Sequence, residues 1–228
     1  MLLGVLTMHD IDKFEHDIMY NNGKDAYDIG DYATSLREWK PLAELGDADA
    51  QTGIGDLYEK GFGVIQDYKS AVKWFRLATE QGDELAQNRL GLMYAQGLGV
   101  LKSNKTAYKL FTLSAEQGNS DAQTSIGKMY QFGFGVIQDY KTAVKWYRLA
   151  VEQGNVFAQY NLGLNYYKGQ GVIQDNVYAH MWANISVTNG SETGGKLKDV
   201  VEEKMTASEI AEAQKLASEY LAKNYKDC

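Results

Sequence analysis

The chain has 228 residues, of which 44% are hydrophobic and 23% charged, and it carries a formal net charge of −7. This composition excludes a disordered chain, and the acidic balance argues against nucleic acid as a partner. With 23 glycines but a single proline, Pro41, the chain can turn often while long stretches stay free of the residue that breaks helices, which favours an all-α fold.

The termini carry little targeting or redox information. The single cysteine, Cys228, is the last residue, so no disulfide can form within the chain. The apolar run of residues 1–6 lacks a preceding basic segment and is too short for a secretory signal, and no apolar stretch is long enough to span a membrane. As written, the sequence indicates a cytoplasmic protein, or a periplasmic or secreted one if a signal peptide was removed.

The N-terminal part does not share the repeating pattern of the rest. We expect residues 1–11 to be disordered or a cloning remnant. Residues 12–46 then predict an N-terminal pair of helices, 12–29 and 32–45, joined at Gly30-Asp31. Because this pair departs from the repeat, we interpret it as a cap.

The middle of the chain repeats itself every 36 residues. The period is marked by one glycine column, Gly46, Gly82, Gly118, Gly154 and Gly190. Self-similarity at such a period indicates stacked supersecondary units. We predict four repeats, at residues 47–82, 83–118, 119–154 and 155–190.

Each repeat predicts a helix, a glycine loop and a second helix. The first helix contains Ala-x-Gln-x-x-x-Gly-x-x-Tyr, the loop contains Gly-x-Gly-Val, and the second helix contains Ala-x-x-Trp or Ala-x-x-Leu. The first loop glycine lies where a left-handed residue ends a helix. Polar residues stand at the expected N-caps. These caps are Asp47, Asp83, Asn119, Asn155 and Ser191 for first helices, and Asp67, Ser103, Asp139 and Asp175 for second helices.

A second glycine column lies inside the first helices: Gly55, Gly91, Gly127 and Gly163. A glycine inside a helix costs about 1 kcal/mol relative to alanine, so four in one register need a physical reason. We predict that a neighbouring helix approaches closely at these positions.

Residues 191–228 close the chain with elements that again depart from the repeat. Residues 192–204 predict one helix, and Thr206 with Glu209 forms a capping box for a last helix that ends near Lys223. We interpret both as C-terminal capping helices.

Together these motifs resemble the Sel-one-like repeat family of the tetratricopeptide-like superfamily, over about residues 24–223. The resemblance implies a right-handed α-solenoid of stacked helix-turn-helix repeats, with a concave face lined mainly by first helices. It further implies a bacterial adaptor or scaffold that binds a protein or peptide partner, without catalysis.

Two alternatives to a scaffold stay open. One is a structural protein that self-associates as a homo-oligomer, and the other is a β-lactam-binding or β-lactam-hydrolysing enzyme. The second is described for a branch of the family with a cysteine pair in each repeat, and this chain lacks those cysteines. Ser125 and Lys128 have the Ser-x-x-Lys spacing of serine acyl-enzymes but fall on variable helix positions. We therefore predict no catalytic residues and no cofactor.

Metal binding is also not indicated. The three histidines, His9, His16 and His180, do not stand at helical ligand spacing, and no internal cysteine assists them. We expect no metal site, and we expect His180 to lie on a helix surface or at an interface.

The partner-binding hypothesis rests on the first helices. Residues 1–60 hold thirteen acids and five bases, and the groove register of the family places Asp49, Asp56 and Glu59 in the concave face. The same register places Thr52 and Thr124 there. In the fourth repeat it yields an apolar stripe of Phe157, Tyr160, Leu164 and Tyr167. We predict that a peptide docks its apolar residues on this stripe and its basic residues near the acids, unless the C-terminal helices fold over the stripe.

The second helices carry a basic stripe in three columns, led by Lys69, Lys73 and Arg76. It is interpreted either as a solvated convex face or as a docking surface for an acidic protein or an anionic surface.

Overall fold

The computed structural model describes residues 13–223 and residue 225, and within these the chain forms twelve α-helices and no strand. The predicted all-α fold is therefore confirmed. The predicted N-terminal segment, residues 1–11, lies outside the described residues.

The helices divide into two compact units, one up to Ser114 and one from Ala115. Unit 1 contains α1 (Lys13–Asp28), α2 (Tyr32–Leu45), α3 (Ala48–Lys60), α4 (Tyr68–Glu80) and α5 (Glu84–Gln96). Helix α6 (Asn104–Glu116) begins in unit 1 and ends in unit 2. Unit 2 contains α7 (Ser120–Phe132), α8 (Tyr140–Val151), α9 (Val156–Lys168), α10 (Asn176–Thr188), α11 (Glu192–Glu202) and α12 (Ala207–Ala222).

Helix ends follow the predicted caps. The carboxylate of Asp47 accepts a hydrogen bond from the Ala50 amide at 2.6 Å, and the Asn155 side chain accepts one from the Ala158 amide at 3.0 Å. At the other end of α3, Gly61 has φ of 71°, so it supplies the left-handed residue that ends the helix. The capping box of Thr206 and Glu209 is also present.

The glycine column inside the first helices provides room for an aromatic ring from the second helix. A Cβ atom on Gly55 would lie 2.5 Å from the Phe75 ring, and one on Gly127 would lie 2.5 Å from the Tyr147 ring. Both rings are fully buried. The predicted close approach is thus confirmed. At Gly55 and Gly127 the approaching group is the residue after the tryptophan column, whereas at Gly163 it is the backbone of α10 and the Cβ atom of Trp182.

Buried glutamines join one repeat to the next. Gln51 donates through Nε2 to the Ala43 carbonyl at 3.0 Å and accepts at Oε1 from Gln81 at 2.9 Å. In unit 2, Gln123 contacts the Ala115 carbonyl and Gln153 in the same way. Each side chain therefore satisfies backbone and loop groups that would otherwise be buried without partners.

The second loop glycine makes a further joint between repeats. Gly99 has φ of 67°, and a Cβ atom there would collide with the backbone carbonyl of Tyr68 at the start of the preceding second helix. Gly171 stands in the same relation to Tyr140. Only glycine allows the loop both this conformation and this approach.

The two C-terminal helices both pack on α10, through different residues of that helix. Leu197 and Val201 of α11 pack with Ala179 and Ala183 of α10. Helix α12 also packs against α10, but through Tyr220, whose ring meets the Trp182 ring edge-on with centroids 4.8 Å apart.

We predict that Gly127→Ala lowers the free energy of unfolding by about 1–3 kcal/mol, because the new methyl group would overlap the Tyr147 ring in a closely packed core. Gly195→Ala is the matched control. A Cβ atom on Gly195 would lie 4.0 Å from Val187, so this helical substitution should raise stability by about 0.5–1 kcal/mol. Denaturant unfolding followed by circular dichroism measures both, and equal effects would contradict the packing account.

Candidate functional site

The acidic residues of the predicted site lie on α3 in unit 1, in three different environments. Asp49 is exposed in the first turn. Asp56 is half-buried and forms ion pairs with Lys60 at 3.3 Å and with Arg89 at 3.2 Å. Glu59 is half-buried near the C-terminal end of the helix, and its Oε2 atom accepts no hydrogen bond within the described part of the chain.

Negative charge accumulates around this face. Partial desolvation by the surrounding chain, followed by the charges of Asp47, Asp83 and Glu84, raises the pKa of Asp49, although the residue remains exposed to solvent. Burial also raises the pKa of Glu59, although the Arg89 charge opposes this. Unit 1 therefore holds carboxylates whose ionised forms its own structure does not fully stabilise.

Two positions assigned to the groove by the family register are instead buried joints between repeats. Thr52 is 8% exposed and donates to the Asp83 carboxylate at 3.0 Å, and Thr124 donates to Asn155 at 3.0 Å. His16 reaches Asp47 in the same way at 2.9 Å. In these repeats the polar side chain serves the N-cap of the next repeat and does not face a partner.

The aromatic stripe of unit 2 is divided between an exposed residue and a covered part. Phe157 is 64% exposed, and the Lys128 ammonium lies 5.5 Å from its ring centroid. Tyr160, Leu164 and Tyr167 are half-buried and pack against the cluster of Leu197 and Val201 from α11. The C-terminal helix α11 therefore partly covers three residues of the stripe, and only Phe157 offers an open apolar surface.

A buried histidine holds α11 in place. The ring of His180 is fully buried, and its Nε2 atom lies 2.7 Å from the Glu202 carboxylate. That hydrogen bond, with a contribution from Lys198, lowers the pKa of Glu202. Of the two positions expected for His180, the helix surface is wrong and the interface is correct, because the ring is buried between α10 and α11, which supplies its partner carboxylate.

Four aliphatic side chains after the Gly-x-Gly-Val loops were missed by the sequence reasoning. Each is about nine-tenths exposed: Ile65 at 91%, Leu101 at 91%, Ile137 at 89% and Ile173 at 91%. Their recurrence at the repeat period was the signal that could have found them.

The basic stripe is exposed in unit 1. Its members there are Lys69, Lys73, Arg76, Lys105 and Lys109.

Among the described residues, no group of three histidine, cysteine, aspartate or glutamate side chains could hold a metal ion. No helix of the described chain is both long and apolar enough to cross a bilayer.

The Sel1 repeat family model matches four consecutive segments of the chain, residues 48–83, 85–119, 120–155 and 156–191. The chain belongs to the Sel1 repeat family. Proteins of this family are generally non-catalytic scaffolds that bind protein partners. No curated protein matches the sequence.

Three solved structures are similar to this Sel1 repeat chain. A protective antigen of uropathogenic Escherichia coli with an SLR fold is 32% identical, with a TM-score of 0.75 over 94% of this chain and 50% of its own. A Sel1 repeat protein from Oxalobacter formigenes is 29% identical, with a TM-score of 0.75 over 88% of this chain and 82% of its own. A putative Sel1 repeat protein from Klebsiella pneumoniae subsp. pneumoniae is 22% identical, with a TM-score of 0.58 over 82% of this chain and 93% of its own, and supports the fold alone. The chain spans only half the length of the E. coli antigen.

We predict that Glu59→Gln stabilises the protein at pH 7. Because burial raises the pKa of Glu59, the folded chain holds this proton more tightly than the unfolded chain does. The free energy of unfolding therefore falls as pH rises from the ordinary pKa to the raised one, and the substitution removes that loss. We expect a rise in Tm of about 1 °C, since surface changes alter stability by about 0.5 kcal/mol or less.

The advantage of Glu59→Gln should shrink as the pH is lowered through the same interval, which thermal melts between pH 7 and pH 4 can measure. Glu44→Gln, at the exposed end of α2, is the control and should change Tm little. A lower Tm for Glu59→Gln at pH 7 would show that Arg89 stabilises the carboxylate more than burial destabilises it.

Proposed function

We propose that this Sel1 repeat protein is a non-catalytic scaffold that binds a basic peptide or protein segment on the first-helix face of unit 1. The observation that carries the proposal is the set of three carboxylates on α3, Asp49, Asp56 and Glu59, in which Asp49 is exposed and the Oε2 atom of Glu59 accepts no hydrogen bond within the described chain. The raised pKa of Asp49 and of Glu59 agrees with it. A partner with lysine or arginine residues would supply positive charge to the acids that Lys60 and Arg89 do not pair, since both of these bases pair with Asp56.

The three acids play different parts in this binding. Asp49 is exposed and meets a partner ammonium or guanidinium without rearrangement. Asp56 is already ion-paired with Lys60 and Arg89, so it contributes by exchanging a pair. Glu59 gains most, because a hydrogen bond from the partner would satisfy its buried Oε2 atom.

In unit 2 the proposal assigns the apolar contacts of a partner to the aromatic stripe. Phe157 is its accessible member, and a partner side chain would pack on the open part of that ring. The half-buried Tyr160, Leu164 and Tyr167 would contribute only the edges that α11 leaves uncovered. Phe157→Ala is consequently a cleaner test than alanine at Tyr160 and Tyr167, whose loss would also loosen α11.

The acidic face predicts a charge-selective peptide preference. Peptides selected by phage display on the purified protein should be enriched in lysine and arginine. We expect Asp49→Asn, Asp56→Asn and Glu59→Gln together to weaken binding of a selected peptide by about tenfold, since three solvent-screened charge pairs, one exposed and two half-buried, at about 0.5 kcal/mol each sum to that factor. Fluorescence anisotropy at two salt concentrations measures the change, and added salt should weaken the wild-type complex.

The control variant removes three acids from other exposed positions of unit 1: Asp25→Asn, Asp28→Asn and Glu44→Gln. It has the same net charge as the test variant and should bind the peptide nearly as well as the wild type. Equal losses in both variants would reduce the effect to net charge, and selection of uncharged or acidic peptides would reject the proposed face.

A further inference from the structure

Helix α12 packs on α8 and α10, the second helices of the last two repeats, and it covers them as a helical ligand would. Ala217 and Tyr220 are buried and belong to one apolar cluster with Val151 of α8 and with Trp182 and Ile185 of α10. Its contact with the repeats centres on a small residue and an aromatic residue three positions apart on one stripe of the helix, and the partly buried Leu216 and Leu221 pack beside them.

The surface beneath α12 is built from repeat positions, so an equivalent surface exists in unit 1 two periods earlier. Arg148 donates to the Tyr166 hydroxyl at 3.1 Å, and Arg76 donates to the Tyr94 hydroxyl at 2.8 Å. The counterparts of Trp182 and Ile185 are Leu110 and Leu113. Shape and chemistry are therefore closely related in the two units.

In unit 1 this equivalent surface is open. Leu113 is 48% exposed, whereas Ile185 is fully buried in the cluster that contains Tyr220. Between α4 and the loop that precedes α6 lies an open pocket of about 390 Å³, which includes Val72, Leu77 and Val100. The apolar floor that a helix needs is thus present without a covering helix comparable to α12 within the described residues of this unit.

Charge distinguishes what this surface would bind. Lys69, Lys73 and Arg76 line this pocket together with Glu80, and the exposed Lys105 and Lys109 lie one repeat further along the chain in the same two lysine columns. Helix α12 is acidic: it contains three glutamates, Glu209, Glu212 and Glu219, and one basic residue, Lys215. In unit 2, Glu219 and Arg148 line the same pocket, so the bound helix already places a carboxylate near the repeat arginine.

We propose that this surface of unit 1, the basic face, binds an acidic amphipathic helix of a partner protein, seated as α12 is seated in unit 2. The apolar side chains of the helix pack on Leu77 and Leu113, beneath which Leu110 belongs to the buried core, and its carboxylates meet Lys73 and Arg76. This site is separate from the acidic first-helix face of the proposed function. The occupant is a partner's helix because the α12 of a second copy would first have to give up its own buried contacts at Ala217 and Tyr220.

The test uses a fluorescein-labelled synthetic peptide with the sequence of residues 206–223, titrated with the full-length protein in low salt. We expect saturable binding in the micromolar range and at least a tenfold loss for Lys73→Glu with Arg76→Glu. The matched control, Lys141→Glu with Lys145→Glu, changes the net charge equally on exposed positions of unit 2 and should bind as the wild type does. Circular dichroism melts confirm that both variants fold.

Several results would overturn the proposal. Absence of saturable binding, or equal binding of a scrambled peptide of the same composition, would remove the helical ligand. An equal loss in both charge variants would show non-specific attraction or entry into the unit 2 seat. Light scattering that shows a dimer of the full chain, abolished by the unit 1 substitutions, would identify the occupant as a second copy.

Discussion

The fold depends on one contact within the helical hairpins: an aromatic ring of the second helix packs directly on a glycine of the first helix. Where a side chain would normally separate two helices, Gly55 and Gly127 let Phe75 and Tyr147 lie directly on the backbone of the first helix. Each glycine costs helix propensity, and the buried ring offsets that cost with its apolar area. Because the contact recurs with the repeat, the neighbouring joints recur too, including the glutamine bonds at Gln51 and Gln123.

Much of this architecture could be predicted because equal letters at equal spacing need equal surroundings. The caps at Asp47 and Asn155 and the left-handed glycine at Gly61 follow from local chemistry alone. The tryptophan column and the column after it both contain large rings that recur with the repeat. The sequence cannot show which of the two rings meets the glycine, and the coordinates show that it is the later one at Gly55 and Gly127. The family register predicts Thr52 in the groove, and no local signal corrects this because its partner, Asp83, lies 31 residues further along the chain.

The C-terminal helices could not be placed from the sequence because they do not repeat. Their positions depend on tertiary contacts, such as Trp182 with Tyr220 and His180 with Glu202, that have no counterpart at a fixed spacing. Helix α11 covers part of the aromatic stripe, whereas α12 packs on the second-helix side. Opposite charges then mark the two proposed binding faces of unit 1, acidic around Glu59 and basic around Lys73, so each face selects a partner of different chemistry.

A double-mutant cycle at Gly127 and Tyr147 tests the central contact most directly. If the ring is the reason for the glycine, Gly127→Ala should destabilise the wild type strongly but should be neutral or stabilising in a Tyr147→Ala background, where the methyl group meets open space. The two substitutions would then show a coupling energy of about 1–3 kcal/mol. Additive losses in the free energy of unfolding would contradict the account, because the glycine would then be required for a reason other than the ring.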